Sequence, residues 1–271
     1  MCDALEVSAS GYYAWATRPD RPTEEWRQEL VGAIEGIHAE VKQRYGSPRM
    51  AAELTARGHD CSENTVAKLM REHGIRAKAP RRFVRTTDSN HRLPVAENIL
   101  ERDFDPAGPN ESWCADITYI PTAGGWLYLA VVEDLFSRMV VGWSMADSME
   151  SRLVVDALEM AIRRRLPGDG LVAHSDRGSQ YASGHYQRVL AAAGIVCSMS
   201  GVGQCWDNAP VESFFGRLKC ELGVGVFATR GQARAVIFEY LEVFYNRVRL
   251  HSSLGFVSPA EFERTHNRTH R

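Results

Sequence analysis

The stretch Trp113-Cys114-Ala115-Asp116-Ile117-Thr118-Tyr119-Ile120 decides the fold. It is rich in β-branched and aromatic residues, and two runs of similar texture follow at 126–132 and 138–145. Gly124-Gly125 separates the first run from the second, and residues 134–137 separate the second from the third. Short runs of this kind, joined by tight turns, predict a three-strand antiparallel meander. Leu153, Val154, Ala157, Leu158, Ala161 and Ile162 then predict a helix over 151–166, stopped by Pro167-Gly168. Residues 171–174 read as a short buried strand, 179–193 as a helix and 195–198 as a strand. Helices follow at 208–222 and about 230–248. The order β-β-β-α-β-α-β-α is that of a mixed α/β sheet with helices on its faces.

Upstream the texture is helical. Leu30, Ile34, Ile37 and Val41 give residues 26–43 one apolar face. Pro48 suits a helical first turn, and Met50, Ala51 and Leu54 supply the next stripe, ended by Gly58. Ser62 is an N-cap candidate for a third helix, with Val66, Leu69 and Met70 inside and Gly74 at its end. Three short helices with a tight turn between the last two describe a helix-turn-helix. Its third helix would present Asn64, Thr65, Lys68 and Arg71, residue types able to meet phosphates or base edges. The same pattern also describes a small helical bundle with a solvated polar face.

The 271 residues carry 32 Lys and Arg against 34 Asp and Glu, a formal net charge of −2. The average hides a segregation. Between 71 and 92, seven cations face only Glu72 and Asp88, a local balance of +5 that includes Arg81, Arg82 and Arg85. Between 97 and 116, six acids face Arg102 alone, a balance of −5. A basic run leaving a helix-turn-helix favours phosphate contact, confined to patches. No run approaches eighteen apolar residues and no secretory signal opens the chain, so a membrane role is not expected. The six cysteines form no CxxC pair and no Cys/His ligand cluster, which suits unpaired thiols in a reducing cytoplasm.

Three acids sit at the ends of these elements. Asp116 lies within the first strand, Asp176 follows the fourth, and Glu212 opens the 208–222 helix. Two carboxylates on neighbouring strands and a third on a helix can converge on one sheet edge. Such a cluster repels itself unless hard divalent cations neutralise it, and magnesium suits oxygen donors. Taken singly, each acid also reads as an ordinary strand-end, turn or helix-surface residue. On the last helix Val211, Phe214, Phe215, Leu218 and Leu222 form the apolar stripe, with Glu212, Gly216 and Lys219 on a flanking face.

Several ordered blocks carry a family resemblance. They are Ser10-Gly11-Tyr12-Tyr13-Ala14-Trp15, Tyr45-Gly46-Ser47-Pro48-Arg49, Trp113 to Tyr119, His174 to Tyr181, and Asp207-Asn208-Ala209-Pro210-Val211-Glu212 with Lys219 seven positions on. The tail adds Tyr245-Asn246, Arg249, His251, Leu254-Gly255 and Ser258-Pro259. Together they resemble the DDE transposases of bacterial insertion sequences, in the family named for insertion sequence three. The resemblance is to the second-reading-frame product, with its retroviral-integrase-like catalytic core.

The resemblance implies an α/β, ribonuclease H-like core preceded by a small helix-turn-helix domain. The expected organisation is a lead-in over 1–24, the helix-turn-helix over 25–78, a basic then acidic linker over 79–107, the core over 108–226, and a C-terminal helix and basic tail over 227–271. It implies a DNA transposase whose catalytic and metal-ligating residues are Asp116, Asp176 and Glu212, served by two divalent ions, Mg2+ or Mn2+. Water would first release a 3′-hydroxyl at the element's end, and that hydroxyl would then attack a second phosphodiester, with no covalent protein intermediate. The implied partners are the terminal inverted repeats and target DNA, a first-reading-frame DNA-binding subunit, fused or separate, and further copies of the chain. The implied location is the bacterial cytoplasm, at the nucleoid when bound to DNA. In the family the block at Ser10 follows a slightly longer lead-in.

Lys219, and with it Arg249 and His251, would reach DNA near the site; the competing readings are a solvated lysine and a helix-end cluster complementing the dipole. Asn208 either touches DNA or positions the loop before its helix. His174 and Arg177 either order the Asp176 loop or act purely in structure, and Asp134 reads as a turn cap. The rival functions are a ribonuclease H-type nuclease, a non-catalytic DNA-binding regulator with a relic core, and a viral-type integrase. The helix-turn-helix and tail blocks speak against the first, and the intact acid trio against the second. The third lacks both an N-terminal zinc-ligand spacing and the length for a C-terminal barrel.

Overall fold

A computed structural model describes residues 8–16, 24–78, 95–201 and 205–269. The chain divides between Ala77 and Lys78 into two compact units. The first holds α1 (Ala9–Ala16), α2 (Glu24–Glu40), α3 (Ser47–Ala56) and α4 (Glu63–Glu72). Leu30, Ile34 and Ile37 of α2, Met50, Ala51 and Leu54 of α3, and Val66, Leu69 and Met70 of α4 are all buried. The apolar stripes read from the sequence are therefore the ones that form the core.

Local chemistry sets the ends of these helices. Pro48 stands in the first turn of α3, where no helical N–H is missed. Ser62 caps α4, its Oγ accepting from the Thr65 N–H at 3.2 Å. Gly58 and Gly74 take the left-handed conformation after α3 and α4, with φ of 90° and 66°. Arg57 joins Glu40 of α2 at 2.6 Å and Glu53 of α3 at 2.9 Å. These pairs are largely exposed, so they orient the helices more than they stabilise them.

The second unit is built on a five-stranded sheet of order β3-β2-β1-β4-β5. Its strands are β1 (Ser112–Thr122), β2 (Gly125–Asp134), β3 (Val140–Ala146), β4 (Val172–Ser175) and β5 (Val196–Met199). β1, β2 and β3 are antiparallel, from Trp113 opposite Asp134 to Thr122 opposite Gly125 in the first pair. β4 runs parallel to both β1 and β5. The helices are α5 (Ser151–Arg165), α6 (Gly184–Ala192), α7 (Ala209–Leu222), α8 (Arg230–Phe238) and α9 (Pro259–Thr269).

Alternation along β1 sorts its side chains. Trp113 and Ala115 join Ala130, Val132, Val141, Leu153, Leu158, Tyr186 and Leu190 in the core under α5 and α6. Cys114 and Asp116 therefore point to the opposite face, where α7 packs on β1. Gly142 of β3 lies against α5 so closely that a Cβ there would overlap the Ala157 carbonyl oxygen and come 2.8 Å from Ala161 Cβ.

Three expectations about the elements need revision. The helix expected from 179 begins at Gly184, because the chain first turns through Tyr181 N–H to Gly178 C=O at 3.0 Å, and Ser183 caps the helix at Tyr186 N–H. The helix expected over 230–248 is α-helical only to Phe238 and continues as a π-helical turn over Glu239–Tyr245. Tyr240, Leu241, Phe244 and Tyr245 are the buried side chains of that turn. The tail itself contains α9, started by Ser258, whose Oγ accepts from Glu261 N–H at 3.3 Å.

Buried polar groups fasten the sheet to the tail. Glu263 of α9 accepts from Arg165 at 2.7 Å and from Ser137 at 2.6 Å. Asp134 caps its turn, accepting from Phe136 N–H at 3.0 Å, Asn110 N–H at 2.8 Å and Trp113 Nε1 at 3.3 Å. Its neighbour Glu133 is buried, and its Oε2 has no hydrogen-bond partner among the described residues. Burial pushes the Glu133 carboxyl up to about 8, Arg138 opposing and Asp134 adding to the rise.

The unfolded carboxyl titrates near 4.5. The folded state thus holds the extra proton between that pH and about 8. Its stabilising contribution is full below the unfolded value and is lost as pH rises through the folded one. Glu133→Gln should flatten this decline and raise stability at pH 8 by on the order of a few kcal/mol. Melting curves from pH 5 to 8.5 check this, and parallel curves for variant and parent would refute it.

Candidate active site

Asp116 stands in the middle of β1, on the α7 face, with its Oδ1 accepting from Ile117 N–H at 2.7 Å. Asp176 directly follows β4, the parallel neighbour whose last registered pair is Ser175 with Ala115. Each acid is thus one residue beyond that pair, which sets the two side by side on adjacent strands. Gly178 N–H donates to Asp176 Oδ1 at 2.8 Å, and a Cβ on Gly178 would lie 2.9 Å from that oxygen. Only glycine leaves the carboxylate this close to the backbone. His174, fully buried, lies 2.9 Å from Ser198 Oγ and 3.2 Å from Ser200 Oγ, while Arg177 Nε donates to Ser200 C=O at 2.6 Å. Burial lowers the His174 pKa to about 4, with Asp207 opposing, so the ring is neutral. Both residues order the loop that carries Asp176.

Glu212 lies in the first turn of α7 and is exposed. The start of that helix is docked by Asn208, which is buried. Cys114 Sγ donates to Asn208 Oδ1 at 2.7 Å, and Asn208 Nδ2 donates to Ala115 C=O at 3.4 Å. This side chain bridges the strand bearing Asp116 and the start of the helix bearing Glu212. Asp207, also buried, accepts from Arg102 at 2.7 Å, Asn98 at 3.0 Å and Gly201 N–H at 3.0 Å.

The charges act on one another. Burial raises the Asp116 carboxyl well above its ordinary value, and Asp176 raises it further. The Ile117 N–H opposes this, Glu212 adds to it, and Lys219 opposes it again. Lys219 is half-buried, its ammonium pKa lowered by burial and supported by Asp116. Among the described residues no three His, Cys, Asp or Glu side chains stand close enough to ligate one ion as they are. The donor set nonetheless suits a hard cation: it offers carboxylate oxygens only, and a divalent charge would offset both the burial and the like charge that raise the Asp116 carboxyl.

The expected DNA contacts fall into three groups. Asn64, Lys68 and Arg71 are exposed on α4, whereas Thr65 is half-buried, its Oγ1 3.0 Å from Ser62 Oγ. Arg81, Arg82 and Arg85 lie outside the described residues. Lys219 faces the acids, while Asn208 and Arg249 are not at a surface at all. Arg249 is 1% exposed and bonded to Glu221 at 2.6 Å, because a buried guanidinium needs a carboxylate partner. His251 is half-buried, with Nε2 3.1 Å from Arg249 Nη1 and its ring against Tyr245. Glu221 escaped the sequence reading; an acid at the inward position three residues after Leu218 was the available signal.

The mixed five-stranded sheet and its packed helices form an α/β, ribonuclease H-like core of the integrase, polynucleotidyl-transferase type. Family models described as "Integrase core domain" match residues 106–205 and 193–259, and one described as "HTH-like domain" matches 25–83. The chain is 47% identical over 266 residues to "Transposase InsF for insertion sequence IS3A" of Escherichia coli strain K12, covering 97% of this chain and 92% of that protein. It is 43% identical over 263 residues to the "Insertion element IS600 uncharacterized 31 kDa protein" of Shigella sonnei, covering 97% of each. A simian T-cell lymphotropic virus intasome structure shares the fold, with TM-score 0.50 at 17% identity over 85% of this chain and 74% of that one.

The chain belongs to the IS3 family of DNA transposases. It is therefore an enzyme acting on DNA, with a helix-turn-helix-like domain beside its integrase core. None of its described helices is long and apolar enough to cross a membrane.

Proposed function

We propose that Asp116, Asp176 and Glu212 are the catalytic residues of this transposase and hold two divalent ions, Mg2+ or Mn2+, during cleavage and strand transfer. The observation that carries the reading is the junction at β1. Asp116 and Asp176 stand one residue past the same strand pair, and Asn208 docks the helix of Glu212 on that stretch of β1. When bound, the ions would supply activation of the attacking oxygen and stabilisation of the leaving one.

The chain's own residues do the rest. The three carboxylates hold position through the Ile117 and Gly178 N–H groups and through the docked helix. Lys219 offers positive charge to a phosphate beside them. In the first step water attacks phosphorus and the P–O3′ bond breaks, leaving a 3′-hydroxyl on the element and a 5′-phosphate on the flank. In the second, that hydroxyl attacks a target phosphodiester and displaces its 3′ oxygen, so DNA strands join without a protein-linked intermediate.

Asn64, Lys68 and Arg71 on α4 are the side chains offered to a DNA groove, and the basic run through Arg81, Arg82 and Arg85 adds charge for phosphates. Family membership supports terminal inverted repeats and target DNA as substrates, a first-reading-frame subunit as partner in end recognition, and a multimer pairing two ends in the bacterial nucleoid.

The test is labelled element-end DNA incubated with Mg2+ and either the parent or Glu212→Gln. The parent should yield cleaved and joined products that chelator abolishes, and the variant neither. Equal, metal-independent behaviour of the two would overturn the proposal. Cleavage of RNA without strand joining would point instead to a nuclease.

A further inference from the structure

The tail block Tyr245-Asn246, Arg249, His251 sits where a basic helix end could have met DNA, yet its side chains face inward. Arg249 Nη2 donates to Glu221 Oε1 at 2.6 Å, and its Nε lies 3.0 and 2.9 Å from the two carboxylate oxygens. Tyr240 Oη donates to Glu221 Oε2 at 2.9 Å. Lys78 Nζ reaches the last carbonyls of α7, Glu221 at 3.0 Å and Leu222 at 3.4 Å. The Tyr245 ring meets Phe214, two residues after Glu212, edge to face at 4.8 Å. Arg249 lies 5.7 Å from the centre of the Tyr245 ring, and His251 packs on the same ring.

The other end of the block is fixed to the sheet. Asn246 takes both polar groups of Val140 on β3, accepting from its N–H and donating to its C=O, each at 2.9 Å. Tyr240 and Tyr245 of the π-helical turn and Asn246 after it are all buried.

We propose that this block is a clamp that positions α7, and through it Glu212 and Lys219, with Arg249 as its central positioning residue. α7 is then held at both ends, by Asn208 on β1 and by the Arg249–Glu221 pair on the sheet side. Glu221 is nine residues from Glu212, about 14 Å along the helix. A rigid helix transmits a tilt at one end to the other, so loosening the pair displaces the Glu212 carboxylate. A buried ion pair is a poor source of net stability and a good source of unique geometry. The inference rests on the assignment of Glu212 as catalytic.

The experiment compares Arg249→Lys, which keeps the charge but loses the fork, with the paired apolar replacement Glu221→Leu plus Arg249→Met, which leaves no unpaired buried charge. Melting curves first establish that each is folded. Amide exchange over residues 213–219, the first N–H groups bonded within α7, should then accelerate in both variants, in the absence of DNA and metal. Strand transfer should fall about tenfold and the Mg2+ concentration for half-maximal rate should rise, while end-DNA affinity stays within about twofold and its salt slope is unchanged. Weakened DNA binding with a salt slope reduced by about one would overturn the clamp and make Arg249 a phosphate contact. Unchanged exchange in both variants would overturn it as well. Those outcomes are distinct from failure of the catalytic assignment, which is read from Glu212→Gln alone.

Discussion

Asp116→Asn is expected to reduce strand transfer at least about a thousandfold while leaving the metal-free protein as stable as the parent or more so. The reasoning starts from the environment of this carboxylate. It is half-buried on β1, and Asp176 and Glu212 both act on it with like charge. In the absence of a cation that charge is a liability, and asparagine keeps the shape without it. With Mg2+ bound as proposed, the same charge would help hold the ion, and divalent-ion catalysis is worth several kcal/mol of barrier, about three orders of magnitude in rate.

The prediction is therefore a pair of opposite signs. Millimolar Mg2+ should raise the melting temperature of the parent, since a ligand that binds only the folded state stabilises it, and should do nothing for the variant. Because a proton competes with the cation for the carboxylates, the rise in the parent should shrink at lower pH. Thermal melts with and without Mg2+, read beside the strand-transfer assay, check both halves. A variant that keeps the Mg2+-induced rise, or keeps activity, would remove Asp116 from the metal site.

Gly142→Ala is expected to be the most destabilising single-methyl change in the sheet. β3 passes α5 with no room for a side chain: the added Cβ would overlap the Ala157 carbonyl oxygen and lie 2.8 Å from both Ala161 N and Ala161 Cβ. Two of these three neighbours are helix backbone, which cannot swing aside as a side chain would. The strand and helix must separate, loosening the buried core in which Val141 lies with Leu153, Val154, Ala157 and Leu158 of α5. Overpacking of this kind costs about 3 kcal/mol, which for a chain of this size lowers the melting temperature by roughly 6–12 °C. Pairing the change with Ala161→Gly should restore part of the loss and not all of it, because the Ala157 carbonyl remains. A loss below about 0.5 kcal/mol would show that β3 and α5 are free to move apart.

Much of this molecule was legible before any coordinates. The strands at 113–120, 126–132 and 138–145 declare themselves because β-branched and aromatic residues fill them and glycine or polar turns bound them. Three of the four described helices before Ala77, α2, α3 and α4, declare themselves because each carries one apolar stripe closed by a left-handed glycine or a stop. The acids Asp116, Asp176 and Glu212 stood out because carboxylates at the ends of such elements need a reason. Arg249 is ambiguous in the sequence for an equally physical reason. A cation at a helix end looks the same in sequence whether it faces DNA or an inward acid, and Glu221 supplies that acid from 28 positions away. Asn208 was ambiguous on the same ground, its partners Cys114 and Ala115 being more than ninety residues upstream.

The amino-acid sequence by itself determined what depends on near neighbours: element type, helix caps, the inward faces, and which acids were candidates. Only the tertiary structure decided what depends on distant partners. It decided that Asp116 and Asp176 stand side by side on adjacent strands, that Asn208 and Arg249 are inside, and that a π-helical turn gathers the tail against α7. The division follows from range: propensity and periodicity act within a few residues, whereas the pairing of buried charges and polar groups depends on where the chain returns.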